Sequence, residues 1–130
     1  MMFLRFILLV CTTVCFSQTD KIYSKIYYDG EILKSEGWLQ NDKRDGYWFF
    51  YNKEGELLKE GHYSQGKRTD WWILYGKDNT ITKVQYNDDV KDGYALLYKN
   101  DKLYKAKKYS GDQLTGTWTS LKKFKRDNYF

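Results

Sequence analysis

A period of 23–24 residues runs through this chain and limits what it can fold into. Trp48, Trp72, Ala95 and Trp118 lie 24, 23 and 23 residues apart. Leu39, Tyr63, Tyr86 and Tyr109 keep the same spacing, and Tyr27, Tyr51, Tyr75 and Tyr98 follow at 24, 24 and 23. Three independent columns on one period define four units, 27–50, 51–74, 75–97 and 98–121. In each, an aromatic run such as YWFFY or WWILY leads to a short turn such as NKEGE. A second run, LLKEGHY in the second unit, then leads to a longer turn, SQGKRTD.

Runs of four to seven residues rich in Tyr, Trp, Phe, Ile and Leu, bounded by Asn, Asp and Gly, read as strands. Gly55, Gly66 and Gly111 supply turn conformations, and Asp-Gly at 45–46 and 92–93 is expected to close the longer connection. No 3.6-residue period is sustained over the repeats, so helix is disfavoured there. The predicted fold is all-β: an elongated antiparallel β-meander of four hairpin repeats in a single sheet. Eight strands about 4.8 Å apart would span about 40 Å, with each unit touching only its neighbours. Strand alternation places Trp48, Phe50, Trp72 and Leu74 on one face, and Phe49, Tyr51, Ile73 and Tyr75 on the other.

Residues 1–17, MMFLRFILLVCTTVCFS, carry one positive charge, Arg5, and an apolar run, with Cys15 and Ser17 at the −3 and −1 positions. They read as a signal peptide cleaved before Gln18. A retained anchor is the alternative, although a spanning helix needs about 20 apolar residues. Lipid attachment is disfavoured because Cys11 and Cys15 follow valines. Export would leave a mature chain without cysteine, since both lie in the signal, so its stability must come from packing. Residues 18–26 form a lead-in. The formal net charge of +5 is unevenly spread: residues 101–130 hold eight Lys and Arg against three acids, whereas 18–100 hold 13 against 14. The C-terminal tail, 122–130, with Lys122, Lys123, Lys125 and Arg126, is therefore a candidate surface for an acidic protein or anionic lipid, or simply a solvated end.

The stretch YNKEGELLKEGHYSQGKRTDWW resembles the MORN-repeat variant, whose unit runs loosely Y-x-x-x-G-x-L-x-x-x-G-x-Y-x-x-G-K-x-x-G-x-W. The second unit matches through Tyr51, Gly55, Leu57, Gly61, Tyr63, Gly66, Lys67 and Trp72, with Asp70 where the pattern has glycine. The first keeps Tyr27, Leu33, Gly37, Lys43, Gly46 and Trp48. The third has Ala95 for the tryptophan and Val84 for the glycine, and the fourth keeps Leu103, Tyr109, Gly116 and Trp118. The resemblance covers residues 27–121. It implies a sheet of stacked hairpins that acts as a protein-interaction platform, with some relatives binding lipid and some bacterial ones labelled antitoxin-like. GWLQNDKRDGYWFFYNKEGELLKEG is also similar to cell-wall repeats that capture choline in aromatic cages, which makes a glycan- or choline-binding module the alternative.

Residue types for catalysis are sparse. His62 is the only histidine, and no P-loop, G-x-S-x-G or HExxH pattern occurs. Asp88, Asp89 and Asp92 lack calcium-loop spacing. The chain therefore reads as non-enzymatic, without metal or cofactor. Nucleic acid is disfavoured because residues 18–100 carry no basic excess. The expected contact residues are Trp38, Trp48, Phe50, Trp71, Trp72 and Tyr75, aromatics being the usual anchors of an interface, with the basic C-terminal residues as a second surface.

Overall fold

Two-residue turns set the architecture. At Asn41–Asp42 both φ values are positive (51° and 60°), as they are at Gln65–Gly66, Asp88–Asp89 and Gly111–Asp112. That conformation matches the natural twist of a tight hairpin, and Asn, Asp and Gly tolerate it best. The computed structural model describes residues 20–129; the signal peptide expected over 1–17, and its cleavage point, lie outside them.

The strands are β1 (Ile22–Tyr27), β2 (Leu33–Gln40), β3 (Lys43–Tyr51), β4 (Leu57–Ser64), β5 (Lys67–Tyr75), β6 (Thr80–Asn87), β7 (Val90–Lys99), β8 (Lys102–Ser110) and β9 (Gln113–Trp118). They lie in one open sheet in sequence order, every neighbour antiparallel. A helix, α1 (Leu121–Asn128), follows. The all-β meander matches the sequence expectation. Strand β1 is additional and occupies the lead-in.

The Asp-Gly pairs at 45–46 and 92–93 do not close turns; they lie inside β3 and β7. There they build a bulge. Opposite Gly37 and Leu39 of β2 stand Trp48 and Arg44, so β3 carries two extra residues. The same surplus recurs where Gly61 and Tyr63 face Trp72 and Arg68, and where Val84 and Tyr86 face Ala95 and Lys91. Gly46 takes up the bend at φ 118° and Gly93 at φ 109°. Asp70, at φ 56°, adopts the left-handed conformation without being glycine.

The β8–β9 hairpin differs. Lys107 and Tyr109 face Thr117 and Leu114, a surplus of one residue. A one-residue slip turns every following side chain to the other face. Trp118 thus pairs with Ala106 and, through Leu96 and Lys83, joins the face of Ile73. The column expected of Trp48, Trp72, Ala95 and Trp118 keeps its first three members on one face and loses the fourth.

The first face carries the core: Trp72, Val84, Tyr86 and Ala95, with Phe50, Tyr63, Leu74, Leu97 and Tyr109 against them. Among the described residues no second layer covers it, and the rings bury one another. Tyr63 meets Trp72 edge to face at 5.0 Å and Trp48 at 6.4 Å. The Arg44 guanidinium lies 4.7 Å from the Trp48 ring centre, and Arg68 lies 4.2 Å from that of Tyr86. Long basic stems can cover apolar rings while their heads stay wet. The hairpins are also clasped at their turns, where the Arg68 backbone N–H and Nε both donate to Asp89 Oδ1 (2.8 and 3.0 Å).

Helix α1 stands where the sequence predicts a basic tail. Ser120 caps it by accepting from the Lys123 N–H, and buried Phe124 anchors it beneath Tyr94 (5.7 Å) and Trp118 (5.5 Å). The Trp118 indole N–H donates to Asp127 and the Tyr94 hydroxyl to Asn128. Because Trp118 faces the second side of the sheet, the helix folds back over that side.

Candidate functional site

Residues flanking the buried indoles must point the opposite way. Trp38 and His62 follow Gly37 and Gly61; Tyr47 and Trp71 precede Trp48 and Trp72. With Tyr23, they form a row across the second face over β1 to β5, near the two-residue turns. Tyr23 meets Trp38 edge to face at 5.1 Å, and Tyr47 meets His62 at 4.7 Å and 88°. Tyr23 and Trp38 are each 42% exposed and Trp71 37%. His62 is exposed too.

Beside this row run Glu36 and Glu60, each accepting from a phenol. The Tyr51 hydroxyl donates to Glu36 Oε1 at 2.9 Å, and that of Tyr75 to Glu60 Oε1 at 2.6 Å. Tyr75 is thereby pushed up to about 12, first by its bond to the carboxylate and then by burial. Burial leads for Tyr51 and Tyr47, also raised to about 12, with the charges of Glu36 and Glu60 respectively adding to it. These hydroxyls are fixed as neutral donors to carboxylates at ordinary pH, which makes them poor bases or nucleophiles.

The sequence-expected contact residues divide into groups. Trp48 is 0% exposed and Trp72 2%, so neither ring offers area to a partner. Phe50 lies half-buried between them, 6.2 Å from Trp48 and 6.1 Å from Trp72. Tyr75 is half-buried and bound to Glu60. Trp38 and Trp71 are exposed and share the row. Lys122, Lys123, Lys125 and Arg126 are exposed on α1, which packs on β8 and β9 at the far end of the sheet from Trp38. Tyr23, Tyr47 and His62 are not among the contact residues expected from sequence, where His62 is weighed only as a catalytic group. Their signal was available as positions one removed from a buried column.

A trough of about 1020 Å³ lies between successive hairpin turns, lined by Asn52, Glu56, Tyr75, Asp78, Asn79 and Asp101 among others. Its carboxylates sit on exposed turn residues, with no histidine or lysine base set against them except the exposed Lys77. Among the described residues, no group of three or more His, Cys, Asp and Glu is placed to hold a metal ion. No family model matches this chain, and no curated protein matches it significantly in sequence.

Proposed function

We propose that this chain is an exported, non-enzymatic interaction module of four MORN-variant repeats, and that it binds another protein through the aromatic row on its second face. One observation supports the reading above the others. The rings divide by face: Trp48 and Trp72 are consumed in packing, while Tyr23, Trp38 and Trp71 remain accessible in a line. Exposed contiguous rings are the usual mark of a contact surface, and Tyr and Trp lead among its anchors. The repeat supplies the line, because each hairpin offers an aromatic or His62 at the same height.

The choline-cage reading has less support. Tyr23 and Trp38 touch each other, with centroids 5.1 Å apart, so no quaternary ammonium fits between them. The test is recovery of a defined partner from the cell envelope with the tagged chain. Trp38→Ala and Trp71→Ala should each abolish recovery while leaving the unfolding midpoint near that of the parent. Retained recovery in both variants, or quenching of tryptophan fluorescence by wall fragments at the same rings, would replace the protein-binding reading.

A further inference from the structure

We propose that β1 is a dimerisation edge, at which two copies of this chain join their sheets strand to strand about a two-fold axis through Ser24. Among the described residues the open sheet has two edges, β1 and β9. A free edge presents unpaired N–H and C=O groups and serves as a template for another strand unless it is blunted. The β9 edge is blunted by its bulge, which breaks the register between Leu114 and Gly116. The β1 edge runs in unbroken register with β2 from Ile22 to Ile26. It has no proline, and its only charge, Lys25, is drawn toward Glu36 at 3.8 Å. Ile22 is 67% exposed where the apolar first face stops short.

The strand IYSKIY is also complementary to itself. Ile22, Ser24 and Ile26 lie on the first face, Tyr23 and Lys25 on the second. An antiparallel partner keeps like faces together only if the axis passes through a residue. Centred on Lys25, two like charges would stand opposite each other and repel. Centred on Tyr23, only Ile22 to Ser24 would overlap. Centred on Ser24, all five regular residues pair: Ile22 of one copy with Ile26 of the other, Tyr23 with Lys25, and Ser24 with itself. Apolar meets apolar, and an ammonium meets a tyrosine ring, a favourable pairing. The two-fold closes the assembly, whereas joining β1 to β9 head to tail would grow a filament. The axis stands perpendicular to the sheet, so the two aromatic rows come to lie on one continuous face. The pairing itself requires no third partner and is tested without one.

The register gives a direct experiment. Opposed residues in an antiparallel pair have Cα atoms about 4.5–5.5 Å apart, inside the range of about 4.4–6.8 Å that a disulfide spans. In the full chain with Cys11→Ser and Cys15→Ser, a Ser24→Cys variant should crosslink into dimers on mild oxidation. Lys25→Cys should crosslink poorly, because its counterpart is displaced diagonally by about 7–8 Å. The parent protein should approach twice its monomer mass in sedimentation as concentration rises. Tyr23→Lys, which sets like charges opposite Lys25, should dissociate it, and Tyr23→Lys combined with Lys25→Glu should restore association. A Ser24→Cys protein with parental near-ultraviolet dichroism that stays monomeric after oxidation would overturn the proposal. So would equal crosslinking at Lys25→Cys, crosslinking of Thr115→Cys into dimers as readily as Ser24→Cys, or an undiminished dimer in Tyr23→Lys.

Discussion

The β4–β5 and β6–β7 hairpins solve one packing problem with opposite residues. In β4–β5 a glycine, Gly61, faces a tryptophan, Trp72; in β6–β7 a valine, Val84, faces an alanine, Ala95. The Trp72 indole lies flat over Gly61, so a Cβ added there would collide with it, as one at Gly37 would with Trp48. The indole N–H then donates to the carbonyl of the next residue, His62 at 3.0 Å and, in β2–β3, Trp38 at 2.9 Å. Where the indole is missing, the glycine is missing too, and Gln85 accepts the Tyr94 backbone N–H at 2.7 Å. The ring and the glycine are therefore exchanged together, not one at a time. The glycine makes room for a ring and is not there for backbone freedom.

The sharpest way to break this comparison is to remove one partner. Trp72→Ala should cost about 3–5 kcal/mol, the usual range for emptying a buried tryptophan site, read as a fall in the urea midpoint. Gly61→Val should cost roughly 1–3 kcal/mol by overpacking.

Those effects also bear on what was legible in the sequence. The strands, the meander and the faces of Trp48, Phe50, Trp72 and Leu74 could be read because period-2 alternation and a 24-residue column are local patterns. The side taken by Trp118 could not. Its spacing of 23 from Ala95 looks regular, but a bulge one residue smaller, with Thr115 unpaired, inverts it, and bulge size depends on backbone conformation that the letters do not display. Gly116 lacks the positive φ of Gly46 and Gly93. Helix α1 is hidden for another reason: it is one short element with a single buried residue, Phe124, too brief for its period to stand out from a run of lysines. In the candidate site, aromatic character alone selects Trp38 and Trp71 together with Trp48 and Trp72, which packing consumes. Aromatic identity does not encode exposure; position relative to the glycine does.

A smaller effect separates the two faces by pH. The Tyr47, Tyr51 and Tyr75 hydroxyls are raised from an ordinary value near 10 to about 12. A group raised on folding stabilises fully below its unfolded value and loses that contribution as pH climbs through the folded one. Stability should hold to about pH 10 and fall between about pH 10 and 12, together with late tyrosinate absorbance. Tyr75→Phe should lose part of this alkaline dependence and, the site being partly wet, about 1 kcal/mol at neutral pH.

Asp70 offers a smaller change of opposite sign. Replacing it with glycine, as Gly46 and Gly93 stand in the neighbouring bulges, should raise stability by up to about 1 kcal/mol, because a side chain in the left-handed region is strained. The same urea titration would detect it. Smallest of all, Trp71→Ala on the exposed row should change stability by no more than about 0.5 kcal/mol, the contrast with Trp72 being a matter of face alone.

The most direct test is a double-mutant cycle that rewrites the β4–β5 pair as the β6–β7 pair. Gly61→Val, Trp72→Ala and the combination are each unfolded in urea. If ring and glycine form one packing unit, the double variant will be more stable than the two single losses added together, by a coupling of roughly 1–3 kcal/mol. If the losses add to within about 0.5 kcal/mol, the indole does not rest on the glycine, and the first face is held together in some other way.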